Sequence, residues 1–399
     1  MIATLAHPSA APASDTVAPV ATATWFIAAI IMSASGIVIG LMWDISWHMS
    51  VGRDTLFTAP HVLEYLSGVT AGLSCGYVVL HTTFAGSAHD RGATVSYWGF
   101  RGPLGAWVTI WGTFAMLVSA PFDDWWHNAY GLDVKIVSPP HMVLFAGMLG
   151  IVIGALVLAV SAQNRSAGSS TEQRDSWLYA YAGGVLCFIF GCATLEYSWP
   201  NAQHGTLFYE VWGAVFPVML VGYSRAGRLR WGATAAALLY MAIWLMMGWT
   251  LRNVNAVPKL APIWNPRTYL WPPYFPALLV VPALGIDWLR QRLNGKNPWL
   301  VSLALGAAFV ALFAAVQWPM SSFMLSSASH NWFFNGGEWP YTARLSGFQQ
   351  QFWAAGRSPQ FGASPPPPIT VGLPIAAALA ILSSRLGLAW GGWMARIRR

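Results

Sequence analysis

Residues 43–61, WDISWHMSVGRDTLFTAPH, place Asp44, His48, Arg53, Asp54 and His61 within nineteen positions of a chain that is only 9% charged. Residues 122–141, FDDWWHNAYGLDVKIVSPPH, repeat the pattern. Trp43 aligns with Phe122, Asp44 with Asp123, Trp47 with Trp126 and His48 with His127. Gly52 then aligns with Gly131, Asp54 with Asp133 and His61 with His141, with one extra residue in the second spacer. Residues four apart share one face of a helix, so a helix running through Asp44 and His48, or through Asp123 and His127, brings carboxylate and imidazole together. His61 and His141 each follow a proline, and proline suits the first turn of a helix. Each segment therefore gathers one carboxylate and two imidazoles at the mouth of a helical hairpin.

Two imidazoles and a carboxylate form a borderline N/O donor set that suits Cu(II), Zn(II) or Fe(II) and leaves coordination positions open. The expected ligands are Asp44, His48, His61, Asp123, His127 and His141. Asp54, Asp124 and Asp133 are expected to orient imidazole N–H groups, as metal-bound histidines require. Trp43, Trp47, Trp125 and Trp126 would wall the sites. The plainer alternative is an aromatic belt at a membrane surface with Asp–His pairs that only cap helices. Duplication favours metal: four of the nine histidines occupy matching positions beside matching acids.

The spacing Asp44-x3-His48-x12-His61 resembles the metal-ligand motif in the C subunit of the copper-containing particulate methane and ammonia monooxygenases. The resemblance covers these nineteen residues and implies copper ligation by Asp44, His48 and His61 near the outer part of a helical membrane subunit, at a site proposed for oxygen activation. The second copy, Asp123-x3-His127-x13-His141, departs from that spacing by one residue.

Composition sets the frame for these sites. The chain has 399 residues, 56% of them hydrophobic, and a mean hydropathy of +0.48. A soluble domain of this size is far less apolar. Apolar runs of spanning length recur at 25–43, 62–83, 104–121, 142–162, 177–197, 208–223, 232–250, 272–288, 298–317 and 369–390. A backbone in lipid must satisfy its own hydrogen bonds, so these runs are expected to be helices. The fold class is all-α: a polytopic membrane protein of about ten transmembrane helices in five hairpins, in which the first two hairpins, and in worn form the third, make a parallel repeat. With the N-terminus cytoplasmic, about two thirds of the Lys and Arg residues fall on the inner side, as the positive-inside rule requires. That places both termini in the cytoplasm, the protein in the cell's inner membrane and both motif copies at the outer face. The net charge of +7 is spent on this orientation and leaves no nucleic-acid footprint.

The expected organisation is an N-terminal tail at 1–24, duplicated hairpins at 25–162, further transmembrane hairpins at 163–317, a long outer loop at 318–368, and a last helix with a basic tail at 369–399. The worn third copy, LEYSWPNAQHG at 195–205, offers Glu196 and His204 as additional ligands. Cys75, Cys187 and Cys192 lie inside apolar runs and read as small core residues. A loop as long as 318–368 is usually functional, and it could dock partner subunits. The leading expectation is a membrane metalloprotein of oxidative function, copper first with iron or zinc as alternatives, or the metal-bearing subunit of such an enzyme. The alternatives are a metal-handling protein, a haem-binding electron carrier using His61 and His141, and a non-catalytic subunit or assembly factor.

Overall fold

The computed structural model describes residues 23–52, 55–92, 94–130, 138–259, 268–338 and 369–399. Helices α1 (Thr24–Ser50) and α2 (Ala59–Phe84) form the first hairpin. A one-turn helix α3 (Ala88–Gly92) and a two-stranded hairpin, β1 (Val95–Tyr97) and β2 (Phe100–Gly102), lead to the second, α4 (Leu104–Tyr130) with α5 (Pro139–Arg165). There follow α6 (Glu172–Ala193), α7 (Thr206–Ala226), α8 (Gly232–Leu251), α9 (Val280–Arg292), α10 (Pro298–Met324) and α11 (Ile369–Met394). Among the described residues nine helices, all but α3 and α9, are long and apolar enough to cross a membrane. The chain is an all-α polytopic membrane protein. The small β-hairpin, which hydropathy does not reveal, turns at Trp98 and Gly99, both at positive φ, and its Arg101 N–H donates to Thr83 Oγ1 of α2 (2.8 Å).

Alternation of the helices gives the bundle two chemically distinct ends. At one, Asn164 closes α5 by donating to the carbonyls of Met394 and Ile397, each at 2.8 Å, while Gln163 donates to Ala226 O at the end of α7. Arg165, Arg225, Arg228 and Arg290 gather there, and so do the start of α1 and the end of α11. The other end holds both Asp/His motifs, where α1 meets α2 and α4 meets α5.

The run at 272–288 departs from the expected helix. Pro272, Pro273 and Pro276 each lack an N–H and clash with the preceding turn, so the chain is irregular from 270 to 278 and helix begins only at Val280. At 1.5 Å per residue, α9 covers about 20 Å of a hydrocarbon layer of roughly 30 Å. The irregular stretch before it is mostly buried in protein, the setting in which non-helical backbone is tolerated at membrane depth. Its polar groups are met by side chains: Trp271 N–H donates to Ser50 Oγ (2.7 Å), and Ser46 Oγ donates to Trp271 O (2.6 Å). Trp244 Nε1 donates to Tyr274 O (2.7 Å), and Leu278 N–H donates to Gln317 Oε1 (2.8 Å). Gln317 in turn donates to Gln203 Oε1, and Gln203 to Ser198 O, both at 2.8 Å.

The loop expected from residue 318 also starts later. Helix α10 continues through Pro319 to Met324, and the next residues fold back in short 3-10 turns at Ser327–Ser329 and Gly336–Glu338. Glu338 is held by Tyr269 OH, which donates to it at 2.6 Å, and by Arg252 at 3.4 Å. Residues 339–368 of the expected loop, and residues 1–22 of the N-terminal tail, lie outside the described residues.

Small residues bring the hairpin partners to backbone contact, the usual basis of helix association in lipid. A Cβ added to Gly147 of α5 would stand 2.5 Å from Met116 N of α4, and one on Gly112 would stand 2.7 Å from Gly147 O. Both obstacles are backbone and cannot swing aside. Gly147→Leu is therefore expected to force α4 and α5 apart and lower the thermal midpoint in detergent markedly, whereas Gly76→Ala, with nothing within 4 Å, should leave it unchanged or raised. Gln317→Leu should cost about 1–3 kcal/mol by stranding the Leu278 N–H, measured by denaturant or thermal unfolding in mild detergent.

Candidate metal centres

Helix α1 runs past Asp44 and His48 to Ser50, and α4 runs past Asp123 and His127 to Tyr130. The i, i+4 pairing expected from the sequence is therefore realised in both copies. Pro60 and Pro140 sit in the first turns of α2 and α5, which start where His61 and His141 can face the preceding helix. Ser138 caps α5, its side chain accepting from His141 N–H.

The two sites match atom for atom. Asp44 Oδ2 lies 3.5 Å from His48 Nε2 and its Oδ1 lies 3.3 Å from His61 Nε2. Asp123 Oδ2 lies 3.3 Å from His127 Nε2 and its Oδ1 lies 3.6 Å from His141 Nε2. In each hairpin the carboxylate gives one oxygen to the histidine a turn above it and the other to the histidine across the hairpin. The six ligands expected from the sequence thus fall into two sets of three. The first carboxylate is the more enclosed: the Asp44 side chain is 17% exposed and that of Asp123 is 32%. His61 is likewise less exposed than His141, while His48 runs the other way and is more exposed than His127.

These contacts admit two readings, Asp–His ion pairs or donor atoms around a shared cation. Good N–H···O hydrogen bonds span about 2.7–3.2 Å, shorter than all four. Bond lengths near 2.1 Å in a tetrahedral metal site put neighbouring donor atoms about 3.4 Å apart, which falls within the observed range. Asp44 Oδ1 and Asp123 Oδ1, the oxygens facing across the hairpin, are buried without a hydrogen-bond donor. In the first site the reason is visible. His61 Nδ1 lies 3.0 Å from Thr55 O, and a carbonyl only accepts, so Nδ1 carries the proton. In neutral imidazole that leaves the Nε2 lone pair facing the Asp44 lone pairs, an arrangement relieved either by a proton on Nε2 or by another cation between them. As the side chains stand, no group of three or more His, Cys, Asp or Glu among the described residues is already set to hold a metal ion. Each carboxylate bridges its two imidazoles.

The remaining expected residues divide. Asp54 and Asp133 lie outside the described residues. Asp124 is exposed and accepts from Asn128 Nδ2 at 3.3 Å. The group that orients His61 is a backbone carbonyl, which no sequence pattern marks. In the third hairpin, His204 Nε2 donates to Trp318 O (3.1 Å), lies 3.0 Å from Ser322 Oγ, and packs its ring on Trp318. That commits its Nε2 to α10. Glu196 lies in a 3-10 turn at Leu195–Tyr197, where partial burial raises its carboxyl above the ordinary value. Glu64, a buried carboxylate one turn below His61, is not among the ligands expected from the sequence.

The His61 geometry makes a spectroscopic prediction. At a pH where the ring is neutral and no metal is present, nitrogen-15 NMR of labelled protein should show His61 as the Nδ1–H tautomer with an unprotonated Nε2. The opposite tautomer would remove the case for a cation at Asp44. Compared with protein-family models, with curated proteins and with solved structures, the chain matches none, so its sites are read on their own chemistry.

Proposed function

We propose that the chain is a membrane metalloprotein that binds two metal ions, one at Asp44, His48 and His61 and one at Asp123, His127 and His141. The observation that carries this reading is the repeated juxtaposition of a buried, donor-less carboxylate oxygen with an imidazole Nε2 across the hairpin, at about the edge length of a tetrahedral site. The donor set fits copper first, because Cu(II) heads the divalent series for N/O ligands, with iron and zinc as alternatives. The carboxylates and imidazoles hold the ion. The Thr55 carbonyl fixes the His61 tautomer.

A metal so bound supplies a Lewis-acidic, redox-capable centre with positions left for water, dioxygen or a small apolar substrate. Oxidation of such a substrate, by this chain alone or as the metal-bearing subunit of a larger enzyme, is the activity this arrangement would serve. The segment beyond Glu338 is the place for partner subunits to dock. The motif end faces outward across the cell's inner membrane in this reading, because the opposite end carries the arginine-rich connections.

Purification in mild detergent followed by elemental analysis tests the proposal. Two equivalents of metal are expected in the wild type, one in His48→Ala, one in His127→Ala and none in the double variant. His204→Ala should keep both, since His204 is engaged with α10. Folded wild-type protein that takes up no copper, iron or zinc would overturn the reading. Protonated imidazoles would then occupy the gaps as Asp–His ion pairs.

A further inference from the structure

The two sites are not equivalent beneath their matched ligands. One turn below His61, on the same stretch of α2, stands Glu64, which is only 3% exposed inside a membrane-spanning helix. Its side chain lies in the α1–α2 interface. A Cβ added to Gly40 of α1 would stand 2.5 Å from Glu64 Cγ and 3.3 Å from Glu64 Oε1. Gly40 is itself one turn before Asp44 on α1, so Glu64 sits in the hairpin seam about one turn along the helices from Asp44 and from His61.

In the second copy both positions differ together. Ser119 aligns with Gly40 and Leu144 with Glu64. Ser119 is buried and turned onto its own helix, donating to Met116 O (2.7 Å). Only the first copy combines a glycine that makes room with a carboxylate that fills it. Ionisable residues buried in membrane helices are costly and mark function. A His and a Glu three apart on one helix lie on the same face.

We propose that Glu64 is a fourth protein ligand of the first site, so that the two centres have different tasks. The inference rests on the two-metal reading above. Asp44, His48, His61 and Glu64 complete a four-coordinate centre of two imidazoles and two carboxylates. The two negative charges neutralise a divalent ion, which suits the more enclosed of the two carboxylates, because uncompensated charge is expensive to bury. Four protein ligands leave no open position, the arrangement of a structural site. The second centre keeps three protein ligands and one net positive charge. It is the open one, and it takes the exogenous ligand, an anion or a small oxygen-bearing molecule.

Copper(II) titration of the full chain in detergent against a competing chelator tests this, with electron paramagnetic resonance read in the presence and absence of azide. His127→Ala isolates the first centre and His48→Ala the second. The wild type is expected to show two classes of copper, the first bound ~10-fold or more tighter, with azide perturbing only the second. Glu64→Gln should bring the first class down to the affinity of the second and open it to azide. The reciprocal change, Ser119→Gly with Leu144→Glu, should tighten the second centre and close it to azide, and it serves if Glu64→Gln fails to fold. Two equal classes in the wild type, or two classes that Glu64→Gln leaves unchanged, would overturn the assignment of Glu64 while leaving the metal reading intact. No copper at either centre in folded protein would overturn both.

Discussion

Backbone amides and carbonyls cannot be left without partners in hydrocarbon, where each costs several kcal/mol. The crossing at 270–292 breaks the helix rule and must meet that requirement from outside itself. Ser46, Ser50, Trp244 and Gln317 supply the partners, and two of the four lie on α1 between and just beyond the ligand positions Asp44 and His48. The last turns of α1 are thereby held from two sides. One face is bonded to irregular backbone, and the opposite face looks across the hairpin at α2. The first Asp/His set owes its placement to a repair made elsewhere in the bundle.

The second set is held by a different device. The register of α4 against α5 is set by glycines packed to backbone contact, at Gly112 and Gly147 and again where Gly154 meets Gly105. Both solutions deliver the same result, a carboxylate at the end of one helix facing a histidine in the first turn of the next. Agreement of the atom pairing in two differently supported hairpins argues that the pairing itself is what the fold preserves. What surrounds the pairing differs: a buried glutamate under one set, a leucine under the other.

Much of the fold can be read from the sequence, because burial in lipid leaves a helix few alternatives. Nine of the ten apolar runs are helices at nearly their expected positions, and the tenth is half helix for a reason already present in its prolines. The Asp–His pairings were also legible: i, i+4 spacing and a histidine just past a helix-starting proline depend only on local geometry. Glu196 and His204 show the limit. Their spacing echoes the motif, yet His204 turns to Trp318 and Ser322, residues more than a hundred positions away whose approach no local pattern encodes.

The sequence by itself determined the class of the molecule, its repeat, the basic and motif-bearing ends, and the six residues that pair. It could do so because hydropathy, charge and helical periodicity act over distances of one or two turns. Tertiary structure decided the rest. It set which oxygen faces which nitrogen, assigned the His61 proton to the Thr55 carbonyl, placed Glu64 against Gly40, and drew α1 onto the irregular segment around Trp271. Those outcomes depend on how closely two helices approach and where a distant side chain finds its partner, quantities that belong to pairs of elements and are not written in either one alone.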